Sequence, residues 1–422
     1  MVSQYTVLDM FAGAGGLSEG FFRHNFNFIS HIEMNPFAAL TLETRSIYHG
    51  LKKCNREDIY TDYFQNISEK SARQRFIKQW ESLEGRDINV ITEEISNSSE
   101  NSIINGVDTR LKEHNNENVD VIIGGPPCQA YSLIGRGRDP EGMKNDPRNT
   151  LYLHYLKFLK KLSPEIFVFE NVPGIKTARN GEIFTDFQNR ATKLGYTVKS
   201  QELNALDFGV LQDRKRVIII GWKNDHDLDY PSFEINRAEH NIWDLLEDLP
   251  SLKPGEGTNG LQKYKKKKPS QYLRESGIRN GEHALLHHEA RKHNDRDRKI
   301  YRKAIKLWNT ERKRLSYDNL PANLRTHKNI TSFLDRFKVV DGDYYSHSIV
   351  AHLSKDGHHF IHPDYKQARS ITVREAARIQ SFPDNYIFEG PRTAQYVQIG
   401  NAVPPLMAEG IAKKIEEMLQ GI

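Results

Sequence analysis

The chain has 422 residues, 37% of them hydrophobic and 10% aromatic, which suffices for a sizeable core and for two domains. No apolar run reaches the length of a membrane span, and the N-terminal MVSQYTVLDMFAG lacks the basic and apolar regions of a secretory signal. Two cysteines, Cys54 and Cys128, are too few for a disulfide framework or a cysteine-rich zinc site, so a reducing cytoplasm is expected. The net charge of +5 is unevenly spread: Lys263 to Arg314 holds 18 Lys/Arg against 6 Asp/Glu, which leaves the rest of the chain acidic. Such a block suits either a polyanion partner or a solvated helix face.

In chain order, YTVLDMF reads as a strand, AGAGG as a tight turn, LSEGFFRHN as a helix and FNFISHIE as a second strand. The polar stretch from about 61 to 118, with ISNSSENSIING at 95–106, reads as a surface elaboration of the first domain. VDVIIGG (119–125) and EIFVFENV (165–172) are buried strands flanking the helical NTLYLHYLKFLKKL, and RKRVIIIGW ends a further strand near Trp222. Strands alternating with helices predict right-handed βαβ units and an α/β fold. From about 223 the sequence turns polar and basic. KYKKKKPS reads as an exposed loop or edge, and one helix is expected over 283–309. SITVREAARIQSFP restores order, and VPPLMAEGIAKKIEEML forms a closing amphipathic helix. The expected division is 1–222 for the first domain, 223–388 for a second, and 389–422 returning to the first.

FAGAGGLS follows a strand and opens a helix, so Gly13 and Gly15 match the first two glycines of a dinucleotide fingerprint. The third position is Ser18, and no phosphate-binding basic residue follows. Glu33, at the end of the next strand, is placed to accept both hydroxyls of a ribose. The loop therefore suits a nucleoside ligand without a pyrophosphate, such as S-adenosylmethionine, or else is a plain tight turn.

DVIIGGPPCQAYS (120–132) stops a strand at two prolines, which withhold backbone donors and turn the chain outward at Cys128. In open α/β sheets ligands sit outside the carboxyl ends of the strands, which places this thiol at the active edge. With a free pKa of about 8.5, it needs cationic or helix N-terminal help to act as a nucleophile. Gln212, Arg214 and Arg216 in LQDRKRV alternate and should share a face. Glu170 and Asn171 end the strand EIFVFENV, and the apolar approach should raise the Glu170 pKa and suit it to donate a proton. His283, His287 and His288 lack Cys or carboxylate partners on a basic helix, so they are expected at the surface and no metal is expected.

DMFAGAGGLSEGF, IEMNPFA, GGPPCQAYS, PRNTLYLHYLKFL, FVFENVPGI, LNALDFGVLQDRKRVIIIG, SITVREAARIQSFPDNY and QIGNAVPPLMAEGIA, in this order, resemble the blocks of bacterial restriction–modification DNA (cytosine-5)-methyltransferases. The resemblance implies a Rossmann-like S-adenosylmethionine-dependent methyltransferase sheet with a second, smaller target-recognition domain. It implies a nucleophile at Cys128 with Gln129 beside it, a glutamate at Glu170 followed by Asn171, and Arg214 and Arg216 next to the target base. It implies a cofactor pocket of Phe11, Gly13, Gly15, Leu17, Glu33 and Met34, closed by Asn401 and Val403, with Asp58 and Ile59 on the adenine. Ser132, Arg136 and Arg138 lie in what resembles the mobile loop that closes over DNA, and Lys265 and Lys266 in the target-recognition region. Double-stranded DNA is the implied partner of a monomer, with a companion restriction endonuclease acting separately. A nicotinamide-dependent dehydrogenase lacks its third glycine here. A tRNA cytosine-5 methyltransferase of the same fold and a catalytically silent DNA-binding regulator remain as alternatives.

Overall fold

The computed structural model describes residues 4–83, 88–127, 150–325, 331 and 333–422. Its first half runs β1 (Tyr5–Met10), α1 (Gly16–Phe22), β2 (Phe26–Ile32), α2 (Pro36–Lys53), α3 (Glu57–Gln65), α4 (Ala72–Glu81), β3 (Val90–Ile91), α5 (Glu100–Glu113) and β4 (Val121–Gly124). It continues through α6 (Leu151–Leu162), β5 (Ile166–Asn171), α7 (Glu182–Lys193), β6 (Tyr196–Asn204), β7 (Gln212–Asp213) and β8 (Lys215–Lys223). Seven strands form one sheet in the order β3-β2-β1-β4-β5-β8-β6. The first five are parallel, and β8 is antiparallel to both β5 and β6. The central strands are apolar on both faces because both faces are covered. Leu8, Ile122, Phe167 and Ile219 pack under α5, α6 and α7, whereas Val7, Ile123, Val168 and Ile220 pack under α1 and the C-terminal helix.

The stretch from 61 to 118 departs from the expected surface elaboration. It supplies the edge strand β3, paired with β2 at His31↔Val90 and Ile32↔Ile91. It also supplies α5, whose Ile103, Ile104, Val107 and Leu111 enter the main core. The polar ISNSSENSIING hides these apolar positions at helical spacing, which is why a compositional reading passes over them. Only α3 and α4 are added as an outer layer, burying Tyr60, Tyr63, Phe76 and Trp80 against α2.

The second half contains α8 (Ile242–Leu246), α9 (Gln271–Glu275), α10 (Asp295–Glu311), α11 (Val373–Ile379), α12 (Arg392–Asn401) and α13 (Pro405–Gln420). The expected helix over 283–309 is shorter and starts later. Asn294 caps α10 by accepting from the Asp297 N–H at 2.8 Å, and the preceding residues form two short strands, Ala284–Leu285 and His288–Glu289. His287 and His288 are consequently buried, not at the surface. His288 meets the Thr372 hydroxyl through Nδ1 (3.0 Å) and the Pro250 carbonyl through Nε2 (2.9 Å), and burial pushes its pKa down to about 4. KYKKKKPS is exposed along its lysines, as expected.

Buried ion pairs fasten α11 to this half: Arg378 to Asp248 (2.6 Å) and Asp384 (2.6 Å), Arg279 to Asp248 (2.6 Å), and Arg369 to Glu375 (2.7 Å). An apolar cluster joining Ala14 and Leu211 to Ile349, Ile371 and Ala377 crosses the boundary expected near 223. The helix α13 returns to α1 so closely that a Cβ on Gly20 would lie 2.2 Å from the Ala408 carbonyl carbon. Among the described residues no helix is long and apolar enough to cross a membrane.

Candidate active site at the carboxyl edge of the sheet

The turn after β1 uses left-handed backbone at Phe11 (φ 58°), Gly13 (φ 58°) and Gly15 (φ 78°). A Cβ on Gly15 would lie 2.9 Å from Leu42 Cδ2 and 3.0 Å from Tyr386 Oη, whereas one on Gly13 would meet nothing within 4 Å. Gly15 is thus a packing glycine, and Gly13 leaves open space above the loop. Glu33 closes the turn from the end of β2, accepting from the Gly13 N–H (2.8 Å) and the Asn35 N–H (2.7 Å). Burial pushes the Glu33 pKa up, while these N–H groups pull it back toward the charged form. Met34 is exposed beside it.

Beneath the loop lies a polar layer that the sequence reading missed. Ser18 donates to the buried Asp9 carboxylate, and His31 Nδ1 lies 3.3 Å from the same hydroxyl and 3.6 Å from Asp9. The serine at the third fingerprint position gives this buried carboxylate a hydrogen bond, with His31 beside it. A polar residue inside each of two core strands, YTVLDM and FNFISHI, was the available signal.

Leu17 is buried on α1, and the Val403 carbonyl sits where a Cβ on Gly16 would fall, 2.4 Å away. Asn401 is exposed at the end of α12, so the last block does meet the start of α1. Asp58 stands exposed in the first turn of α3, paired with Arg56 at 2.9 Å, and Ile59 is buried against α2 and α4. The chain leaves β3, beside Glu33, through Thr92, Glu93, Glu94 and the buried Ile95.

At the middle of the same edge, Glu170 and Arg216 form an ion pair, Nε to Oε1 2.6 Å, with side chains 14% and 10% exposed. The expected apolar surround of Glu170 therefore includes a guanidinium. A Cβ on Gly125 would lie 2.6 Å from Glu170 Oε2 and 2.7 Å from its carbonyl oxygen, so only glycine lets β4 pass this close. Asn171 Nδ2 donates to the Pro126 carbonyl (3.2 Å), and its Oδ1 accepts from the Val172 N–H (2.9 Å). These contacts fix the chain at Pro126 and Pro127 beside Glu170. Cys128, Gln129, Ser132, Arg136 and Arg138 lie outside the described residues.

Arg214 does not share this place with Arg216. It is fully buried and donates through Nη1 to the Ile349 carbonyl (2.5 Å) and the Ser348 hydroxyl (3.3 Å), and through Nη2 to the carbonyls of Gly400 (3.0 Å) and Ala402 (2.8 Å). Gln212, also buried, bridges the Ile349 N–H (2.7 Å) and the Gln380 side chain (2.8 Å). These two residues bind the second half of the chain to the sheet. Lys265 and Lys266 are exposed, and the Lys266 ammonium is paired with Glu247 at 2.5 Å.

A family model described as "C-5 cytosine-specific DNA methylase" matches residues 46–417. The chain is 42% identical over 455 residues to the type II methyltransferase M.Bpa9945I of Bacillus paralicheniformis, covering 98% of this chain and 99% of that relative. It is 32% identical over 443 residues to the type II methyltransferase M.DdeI of Desulfomicrobium norvegicum, covering 99% and 89%. Its fold is similar to a protein encoded within an E. coli prophage (TM-score 0.65, 23% identity, covering 99% of this chain and 100% of that one). It is also similar in fold to the Entamoeba histolytica methyltransferase EhMeth (TM-score 0.55, 16% identity, covering 99% of each chain).

Proposed function

The chain belongs to the C-5 cytosine-specific DNA methylases, and from that membership we propose how its residues divide the work of methylating carbon 5 of a cytosine in duplex DNA. The donor set fits S-adenosylmethionine: Gly13 leaves open space above the loop, and Glu33 presents a carboxylate at the end of β2. Phe11, Gly15, Leu17, Met34, Asn401 and Val403 complete that pocket, with Glu94 and Ile95 after β3 taking the adenine role first expected of Asp58 and Ile59. When bound, this cofactor supplies an electrophilic methyl group.

Cytosine C5 is too weak a nucleophile alone. The Cys128 thiolate adds to C6, Glu170 donates a proton to N3, and the electron density gathered at C5 takes the methyl group, whose former bonding pair stays on the donor sulfur. A base, supplied by water, then removes the C5 proton, the C6–S bond breaks to regenerate the thiolate, and N3 returns its proton to the Glu170 carboxylate. Arg216 holds the Glu170 carboxyl in position, Asn171 holds the turn that delivers Cys128, and Gln129 flanks it. Because pairing hides C6 in the stack, the cytosine is flipped out at a cost of a few kcal/mol. Ser132, Arg136 and Arg138 close over the DNA, while 223–388, with Lys265 and Lys266, engages the duplex outside a catalytic unit of 1–222 and 389–422. The protein works in the cytoplasm as a monomer and protects host DNA from a companion restriction endonuclease.

The observation that carries this reading is the Glu170–Arg216 pair at the carboxyl edge, where β4 delivers Pro126 and Pro127. Its test is transfer of labelled methyl from S-adenosylmethionine to duplex DNA and, in parallel, to tRNA. Label on DNA cytosine C5 is expected. Label confined to tRNA, or none, refutes it. For the cofactor pocket, Glu33→Gln should weaken S-adenosylmethionine binding by about tenfold or more in calorimetry, because a bond to a charged acceptor becomes one to a neutral amide.

A further inference from the structure

The loop from Asp341 to Tyr345 combines a rigid backbone with exposed rings. The Trp243 N–H donates to the Gly342 carbonyl (3.1 Å), the Ile242 N–H to the Tyr344 carbonyl (3.0 Å), and the Ser346 N–H to the Leu211 carbonyl (2.9 Å). The Trp243 indole N–H donates to Asp343 (3.2 Å), and a Cβ on Gly342 would fall 2.6 Å from that same nitrogen. Arg312 clamps the loop from the other side through Asp341 (2.9 Å) and Asp343. Yet Tyr344 is 60% exposed and Tyr345 47% exposed, in a half whose other tyrosines, such as Tyr264, Tyr272, Tyr301 and Tyr317, are mostly buried. A backbone held at Gly342 and Tyr344, with Asp341 and Asp343 clamped, presents two aromatic rings to solvent and is pre-organised for contact, since less ordering remains on binding.

The surroundings indicate what it contacts. The tyrosines border a groove of about 400 Å³ that is also lined by Trp308, Arg314, Lys338 and His347. Arg314 is exposed and makes no hydrogen bond or ion pair with the described residues, unlike Arg312. Its fork is therefore free to take a bidentate acceptor such as a guanine edge. Burial pushes the pKa of His347 down to about 4, so the neutral ring adds no charge at neutral pH.

Position decides the partner. The strand Ser346–His347 pairs in parallel with β7 (Ser346↔Gln212, His347↔Asp213), and β7 extends beyond the carboxyl edge on the chain that carries Arg216. Asp213 lines the groove and precedes Arg216 by three residues, so the groove opens close in sequence to the Glu170–Arg216 pair.

We infer that Tyr344, Tyr345 and Arg314 form the surface that reads base edges flanking the target cytosine through the major groove. This rests on the proposed action on duplex DNA.

The test uses the full chain. Wild type, Tyr344→Ala, Tyr345→Ala, Arg314→Ala and Arg314→Lys are each expressed in a host free of other cytosine methylation, and the methylated sites are mapped by bisulfite sequencing. Purified proteins are compared on duplexes with single base changes, and calorimetry with S-adenosylmethionine verifies each fold. At one flanking position, Arg314→Ala should lower the preference for the correct base by about 5- to 150-fold while cofactor binding is kept. Arg314→Lys should restore DNA affinity without restoring that preference, because lysine supplies charge but no planar fork. An unchanged methylated sequence in all four variants would overturn the inference, as would an equal loss on every duplex that Arg314→Lys repairs, which marks a phosphate contact. A wild type that makes no 5-methylcytosine refutes the proposed function instead, so the two failures are distinguishable.

Discussion

Cys128→Ala is expected to bring methyl transfer to background, a fall of roughly 10⁴-fold or more, because no other group can raise electron density at C5 before the methyl is transferred. The surrounding residues restrict the alternatives. Gly125 is pressed against Glu170, Asn171 holds the Pro126 carbonyl, and the two prolines set the direction in which the chain continues. Of the two cysteines, Cys54 lies on the far side of α2 as its C-terminal cap, with its thiol turned to the Leu51 carbonyl at 3.4 Å. It is no substitute. With S-adenosylmethionine present, a duplex carrying 5-fluorocytosine traps the adduct: once the methyl is on C5, fluorine leaves no C5 proton to remove, so the C6–S bond persists. Wild type should give a complex with this duplex that survives denaturing electrophoresis, and Cys128→Ala should give none. Glu170→Gln should still form it, at a rate lower by about 10²- to 10⁴-fold, because loss of the N3 proton donor slows addition without removing the nucleophile. A persistent complex with the alanine variant would mean that another group attacks C6.

The parts legible in the sequence are those in which one local pattern decides the structure. Continuous apolar runs in VDVIIGG, EIFVFENV and RKRVIIIGW give β4, β5 and β8, because a strand covered on both faces has no polar side to show. The glycine loop and Glu33 are likewise local. What stayed hidden depends on distant partners. His287 and His288 look like part of a basic helix until Thr372, Pro250 and the Phe388 N–H arrive from more than thirty residues away to satisfy them. The edge strand β3 has only two residues, too few for any periodicity, so its pairing with β2 was not legible. Strand alternation predicts Arg214 and Arg216 on one face, but Arg214 falls in the break between β7 and β8, and its side chain ends on carbonyls of α12 and its flank whereas that of Arg216 ends on Glu170. Periodicity gives a side; the topology gives the partner.

That difference makes Arg214→Met the informative change in the joint between the two halves. Methionine keeps the apolar length of the side chain but withdraws every donor, leaving the carbonyls of Ile349 and Gly400 without it while that of Ala402 keeps only a long bond from Gln380 Nε2 (3.4 Å). Each unpaired acceptor costs about 1–3 kcal/mol, offset in part because a buried guanidinium no longer needs desolvating, so a net loss of about 3–5 kcal/mol is expected. Urea unfolding followed by tryptophan fluorescence measures it, and a midpoint equal to wild type would show that Arg214 is replaceable as a cross-link. The catalytic prediction differs from that for a residue touching the base. Arg216→Met disturbs Glu170 directly and should lower kcat. Arg214→Met, whose side chain ends about the β7 extension and α12, loosens how 223–388 is held against the sheet, so in the folded fraction KM for DNA should rise while binding of S-adenosylmethionine is kept. If instead kcat alone falls, at unchanged KM, Arg214 acts at the base after all, and the buried position seen here changes when DNA is bound.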